Sequence, residues 1–476
     1  MRVLGAFLFN TLCNFGIGLI VAKFLGPAEY GRFALTLAIA LTIQIALLDW
    51  TRLCAVRFYS ERVRAAEPTI RATLDMAFAL ISFGIAGIAV IVAFLDGGRD
   101  PTRGLIGLAL GVSIANSLFD YRTALVRARF HDRLYGRLVI IKNVFSLVLT
   151  GGAAFLFESA AMALIGGIVS LTGSVLTASA ALSDAGAETS QARLSTARLL
   201  LGYSLPIITA NLLYTAIPLA NRALMTHLHG FAETGQFSLA YDLGLRAVLA
   251  LGSAMDVLLF QMAVRAHETH GLDRAKAQIA RNMTMVIAVL VPACAGIWAT
   301  LPSIEQLIVP SQYRGPFAHY MALLLPGLCA TGMIHFAVNP MFQIGKNTAP
   351  LIGAALVGCV MNGLLIVVLA RGGDASGLAI AQSGAAIASL IALLVFAART
   401  QPHWPAARDL AAIAIGTGAM ILVLLPLRNG PPGVLTLAAE IVVGMGVFAG
   451  LMLAFDGIGS RQLILGRFFA KPTEVQ

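Results

Sequence analysis

The sequence predicts an all-α polytopic membrane protein of about fourteen transmembrane helices, built as two six-helix lobes related as parallel repeats plus a C-terminal helix pair. Three observations lead there. The 476 residues are 58% hydrophobic and only 12% charged, with mean hydropathy +0.84, which excludes a soluble globule of this length. Apolar stretches of the ~20 residues that a spanning helix needs recur along the whole chain. A ten-residue motif, GPAEYGRFAL from Gly26 to Leu35, returns 204 residues later as GFAETGQFSL from Gly230 to Leu239.

Each motif copy separates two apolar stretches, so it reads as the turn between the first two spans of a repeated unit. Its Gly residues permit a sharp reversal. Glu29 and Glu233 are expected over the first turn of the following helix, where negative charge favours the exposed amides. On this template the first six spans lie near 3–22, 31–56, 74–95, 104–121, 138–157 and 160–182. The next six lie near 199–220, 235–262, 283–309, 317–341, 350–370 and 375–397, and a final pair near 409–427 and 433–455. The breaks at Glu158-Ser159 and at Gly372-Gly373-Asp374 are short, which leaves twelve spans open as an alternative. The expected division is an N-lobe over 1–190, a C-lobe over 191–400, and a helix pair with a cytoplasmic tail over 401–476.

An even number of spans per repeat makes both copies enter the membrane from the same side. With the N-terminus inside, 23 of the 33 Lys and Arg fall in inner segments, 8 in outer ones and 2, Arg52 and Arg246, within spans. That bias predicts a cytoplasmic N-terminus and C-terminus. The inner segments 122–142 and 263–281 are the richest, and anionic lipid headgroups account for the net charge of +10 better than nucleic acid does. The five cysteines lie in apolar stretches and imply no disulfide framework.

Ionisable groups inside spans are expensive, about 2.5–3.5 kcal/mol each on insertion scales, and so point to function. Asp49 and Arg52, three apart in span two, can pair, and Asp242 and Arg246, four apart in span eight, can do the same. Asp256 falls 207 residues after Asp49, within a helical turn of the repeat offset, so the two are expected to face each other. Glu440 lies in the last span, outside the repeat. Uncharged polar stripes add Asn10 with Asn14, Asn211 with Tyr214, and His335, Asn339 and Gln343. His227 and His229 fall in an expected outer loop and His267-Glu268-Thr269-His270 in an inner one, the latter with the wrong spacing for a zinc helix. Neither is read as a metal site. Gly345-Lys346 lacks the rest of a phosphate loop, and no connection is long enough for the folded outer loop of a glycan polymerase or ligase.

Three stretches carry a family resemblance. FLGPAEYGRFALTLAIAL with the following LLDWTRLCAVRFY, RARFHDRLYGRLVIIKNVFSLVL, and IVPSQYRGPFAHYMALLLPG resemble the polysaccharide flippases, the O-antigen and exopolysaccharide exporters of the multidrug/oligosaccharidyl-lipid/polysaccharide (MOP) superfamily. The resemblance covers roughly residues 1 to 400. It implies a non-enzymatic transporter of the cytoplasmic membrane, without cofactor, whose V-shaped cavity opens alternately to the two faces. The implied substrate is a lipid-linked oligosaccharide on undecaprenyl diphosphate, for lipopolysaccharide or exopolysaccharide biosynthesis. The implied partners are membrane lipids, a polysaccharide polymerase and a chain-length regulator.

Guanidinium forks match phosphate oxygens. Arg52, Arg246 and Arg222 are therefore the expected diphosphate ligands, with Arg57 and Arg265, in matching Ala-Val-Arg tripeptides, capturing the headgroup at the inner face. Asn211, Tyr214, His335 and Asn339 would line the sugar path. Asp49, Asp242 and Asp256 are the expected ion-coupling residues. A cation-coupled multidrug antiporter and a lipid II flippase are the alternatives.

Overall fold

The computed structural model describes residues 2–59, 67–96, 101–129, 131–182, 188–344, 349–369, 373–399 and 403–457. Among them the chain is helical throughout, and fourteen helices can be followed. The first helical run, Arg2–Ile43, breaks at Gly26, whose φ of 72° and ψ of 170° leave the helical region. This separates α1 (2–25) from α2 (27–58), the latter carrying a π-helical turn at Gln44–Leu48. Then come α3 (Pro68–Asp96), α4 (Pro101–Ala128), α5 (132–157, with a π turn at Ser146–Gly151) and α6 (Ala160–Leu176). A second long run, Leu194–Ile308, is interrupted by positive φ at Gly230 and Gly271, giving α7 (194–229), α8 (231–270) and α9 (272–308). The last five are α10 (316–344), α11 (Ala349–Leu369), α12 (Ser376–Ala398), α13 (Ala407–Arg428) and α14 (Val434–Ala454).

Both short breaks foreseen in the sequence are real. Glu158 adopts left-handed φ and Ser159 is extended, so α5 and α6 are distinct. At the other, Gly373 has φ 71° and Asp374 accepts the Ser376 amide at 2.9 Å, while Gly372 lies outside the described residues. The basic segments expected as inner loops turn out to be largely helical. α4 runs on to Ala128, and residues 263–281 stay helical apart from Gly271. Apolar length sets where a span must begin, but helices of Arg, Lys, Ala and Gln continue into the headgroup zone because nothing there breaks them. The histidines expected in loops, His227, His229 and His270, accordingly lie in helices.

The chain divides into two compact units. One comprises residues 1–243 with 358–382, and the other residues 244–357 with 383–476. In the first, a core of Trp50, Cys54, Leu74, Tyr121, Leu125 and Leu200 joins α2, α3, α4 and α7. The two motif copies also meet inside this unit. A Cβ on Gly31 would run into the Phe231 carbonyl, and one on Gly235 into the Pro27 carbonyl. Position 27 plus the repeat offset is 231, and 31 plus it is 235, so the two turns touch through equivalent residues, as a local twofold axis requires. Glu29 departs from its expected role. It pairs with Arg32 and accepts the Ala160 amide at 2.8 Å, capping α6 rather than its own helix. The α6 end is reached because α6 has no side-chain cap of its own.

In the second unit α9, α13 and α14 share two apolar clusters, one around Ala288, Ala412, Ile413 and Met452 and one around Ala299, Met420 and Leu424. Ser383 joins α12 to α10, accepting the Gly327 amide at 3.0 Å and donating to the Leu323 carbonyl at 2.7 Å. Large apolar side chains such as Phe83, Phe94, Leu422 and Leu435 are exposed along helix faces, where lipid tails would cover them.

Candidate functional site

The π turn in α2 widens the helix just before its charged residues. Asp49 follows it directly, is buried, and receives both Arg52 Nε at 2.5 Å and Arg52 Nη2 at 2.9 Å. The pairing read from the i, i+3 spacing is therefore present, as a bidentate fork. Arg52 commits two of its five donors to it and keeps 30% of its side chain exposed. Gln44, on the π turn itself, donates to Asp120 of α4 at 2.8 Å, and Asp120 lies within electrostatic reach of Arg52 and Asp49. Gln44, Asp49, Arg52 and Asp120 make one partly buried polar cluster. Nothing in the spacing singles out Asp120, because it sits where span four was expected to end.

At the second expected pair, Asp242 has a partner from another helix. Asp242 is bonded by Arg222, which also donates to the Ala34 carbonyl at 3.1 Å and stands over the Tyr241 ring. Arg222 is 5% exposed. It ties α7 to α2 and α8, and it reaches Asp242 because the turn at Gly230 folds the two helices back together. Thr226 and Thr234, each four residues from that glycine, share a hydrogen bond of 2.9 Å.

A third cluster went unread in the sequence. Asn221 Nδ2 donates to Asn362 Oδ1 at 3.0 Å and to Gln382 Oε1 at 3.2 Å, joining α7, α11 and α12, and all three side chains are buried. The separations of 141 and 161 residues offer no local pattern. Asn221→Ala would strand two buried acceptors, and it is expected to lower stability by about 1–3 kcal/mol, checked by the thermal midpoint in detergent.

Near the end of α4 a further network holds Arg71, Asp75, Tyr121 and Arg122. Arg71 Nε lies 2.6 Å and the Tyr121 hydroxyl 2.8 Å from the Asp75 carboxylate, and Arg71 stacks over Tyr59 and Tyr121. At the opposite end of α4 a cleft of about 570 Å³ is lined by Glu29, Arg32, Leu105, Leu108, Glu158 and Ser159.

The remaining expected residues are placed as follows. Arg57 is exposed at the end of α2. Asn211 and Tyr214 are half-buried on α7, and the Tyr214 hydroxyl is shielded without a hydrogen-bond partner. In the second unit Arg246 and Asp256 are half-buried on α8 and Arg265 is exposed. His335 lies in the π turn Ile334–Val338 of α10, with Asn339 just beyond it, half-buried and with Oδ1 unpartnered. Among the described residues no group of three or more His, Cys, Asp or Glu is placed to hold a metal ion.

No protein-family model matches the sequence, and no curated protein matches it at significance. Solved structures do match. The lipid II flippase MurJ in an inward closed conformation superposes with TM-score 0.72 at 15% identity, covering 96% of this chain and 98% of its own. An inward-facing multidrug resistance MATE family transporter of the MOP superfamily gives TM-score 0.62 at 15% identity, covering 82% of this chain and 94% of its own. A MOP superfamily transporter from Pyrococcus furiosus gives 0.54 at 12%, covering 84% and 94%. The chain is a polytopic membrane protein with the fold shared by MurJ and the MATE transporters.

Proposed function

We propose that this protein moves a lipid-linked oligosaccharide, carried on undecaprenyl diphosphate, from the inner to the outer leaflet of the cytoplasmic membrane by alternating access, for polysaccharide export. One observation carries the reading. The likeness to a flippase of a lipid-linked substrate spans 96% of the chain, C-terminal helix pair included, whereas the likeness to the multidrug transporter stops at 82%. A lipid diphosphate also suits arginines held within spans, which a cationic drug does not.

In this reading Arg52 and Arg246 take the diphosphate, and Arg57 and Arg265, both exposed, collect it at the inner surface. Asn211, Tyr214, His335 and Asn339 line the path of the sugars. Asp49 and Asp256 are the ion-coupling candidates. Asp242 and Arg222 hold each other, so their contribution is to shape rather than to headgroup binding. The lobes 1–190 and 191–400 would change their mutual arrangement as the site turns from one face to the other.

A second reading, a lipid II flippase, is favoured by the neighbour of highest similarity quoted above. The two differ in headgroup, not in carrier, so one assay separates them. Purified protein in proteoliposomes is supplied with fluorescent undecaprenyl-diphosphate oligosaccharide or with lipid II, and outer-leaflet exposure is followed with and without a proton gradient. Protein-dependent movement of the first is expected, and Arg246→Ala is expected to abolish it without loss of membrane insertion. Movement of lipid II alone would install the second reading. Efflux of a cationic dye with no lipid movement would overturn both.

A further inference from the structure

Glu440 lies seven residues into α14 and is 1% exposed. Both of its carboxylate oxygens are shielded from solvent and have no hydrogen-bond partner. The helices that meet at this level share an apolar cluster of Ala299 of α9 and Met420 and Leu424 of α13, with Trp298, Val443 and Val447 packed against it. The small residue Gly444, one turn on, lets α14 sit close against Leu424 and Met420. This is no accident of an exposed helix face, because the same helix offers lipid-facing positions such as Val442 and Met445, which are 70% and 69% exposed.

The groups that face the carboxyl come from two packed helices. Ser303 of α9 lies beside it with its own hydroxyl buried and unpartnered, and Arg428 at the end of α13 is the charge that acts on it. Arg428 is nevertheless turned elsewhere. It sits 3.7 Å above the Trp298 ring and donates Nη1 to the Trp298 carbonyl at 3.0 Å. The other acid near this end of α9, Glu305, is directed to the amides of Gly315 and Ala318 at 2.8 and 3.0 Å. An ionised carboxylate left without donors in such a place is strongly disfavoured, and a buried acid then carries its proton instead.

We propose that Glu440 is a proton-binding site of the C-terminal helix pair: it holds a proton in this conformation, and on releasing it draws Arg428 away from Trp298. The neutral acid fits the placement of Arg428 on the indole, since an anion here would attract it. Ser303 can serve either form, accepting from the neutral acid or donating to the carboxylate once the proton has left. α13 and α14 thereby become a titrating element built onto α9, independent of which lipid is moved.

The test reads the proton itself. Full-length protein in lipid nanodiscs is compared with Glu440→Gln by difference infrared spectroscopy at neutral pH. The expected result is a protonated-carboxyl stretch, shifted in deuterium oxide, that the variant lacks. If the variant instead loses only carboxylate absorption, the proposal is overturned. The amide keeps shape and neutrality, so both proteins are expected to show the same thermal midpoint. A second measurement uses Trp50→Phe with Trp404→Phe, which leaves Trp298 as the sole indole. Its emission is expected to change reversibly as pH rises and to stay flat once Glu440→Gln is added. Emission that titrates equally in both would show that Arg428 does not answer to Glu440.

Discussion

Gly31→Ala is expected to lower the thermal midpoint of the detergent-solubilised protein, at a cost of about 1–3 kcal/mol, although it adds a single methyl to a helix. The atom that the new Cβ meets is the Phe231 carbonyl oxygen, with Gly235 N next to it. Both belong to the backbone, so no side-chain rotation relieves the clash. Gly235→Ala meets the Pro27 carbonyl in the same way and is expected to cost the same. Because the two substitutions spread one contact, the double variant should cost clearly less than their sum. Gly84→Ala in α3 is the control, since nothing lies within 4 Å of its added methyl. Better helix propensity alone should leave that variant unchanged or more stable by up to about 1 kcal/mol. Equal effects at Gly31 and Gly84 would mean that the two motif copies do not touch.

That contact also shows what a sequence can disclose here. The repeated motif was legible because its glycines answer to local geometry: Gly26 and Gly230 both take positive φ, where an L side chain is strained. The Asp49–Arg52 pair was legible for the same reason, both partners lying on one helical turn. That rule assigned Asp242 to Arg246 and did not foresee its bond to Arg222, because a hairpin offers partners that single-helix spacing does not see. Thr226 and Thr234 are equidistant from Gly230, but Arg222 lies eight residues before it and Asp242 twelve after, so a count outward from the turn does not lead to that pair. No such count leads to Asn221, Asn362 and Gln382, or to Gln44 and Asp120, which only the packing of separate helices brings together. Glu440 stood out as an acid in a span, but its lack of a partner is a tertiary fact.

Arg222→Met is expected to destabilise the protein by about 3 kcal/mol, the lower end of what breaking a buried ion pair costs. The lower end applies because Asp242 keeps 22% of its side chain exposed and so recovers some hydration when left alone. The lost donation to the Ala34 carbonyl adds to the effect, since that bond fixes α7 against α2. Adding Asp242→Leu should then restore most of the midpoint, because two apolar side chains of similar volume remove the stranded charge along with the pair. This recovery is the informative outcome. A guanidinium that served to bind a diphosphate would leave the fold intact when removed and would cost transport alone, and replacing Asp242 as well would not repair it. One of the three arginines that phosphate chemistry singles out would thus be assigned to the scaffold. Headgroup recognition would then rest on Arg52, which keeps donors free of Asp49, and on Arg246.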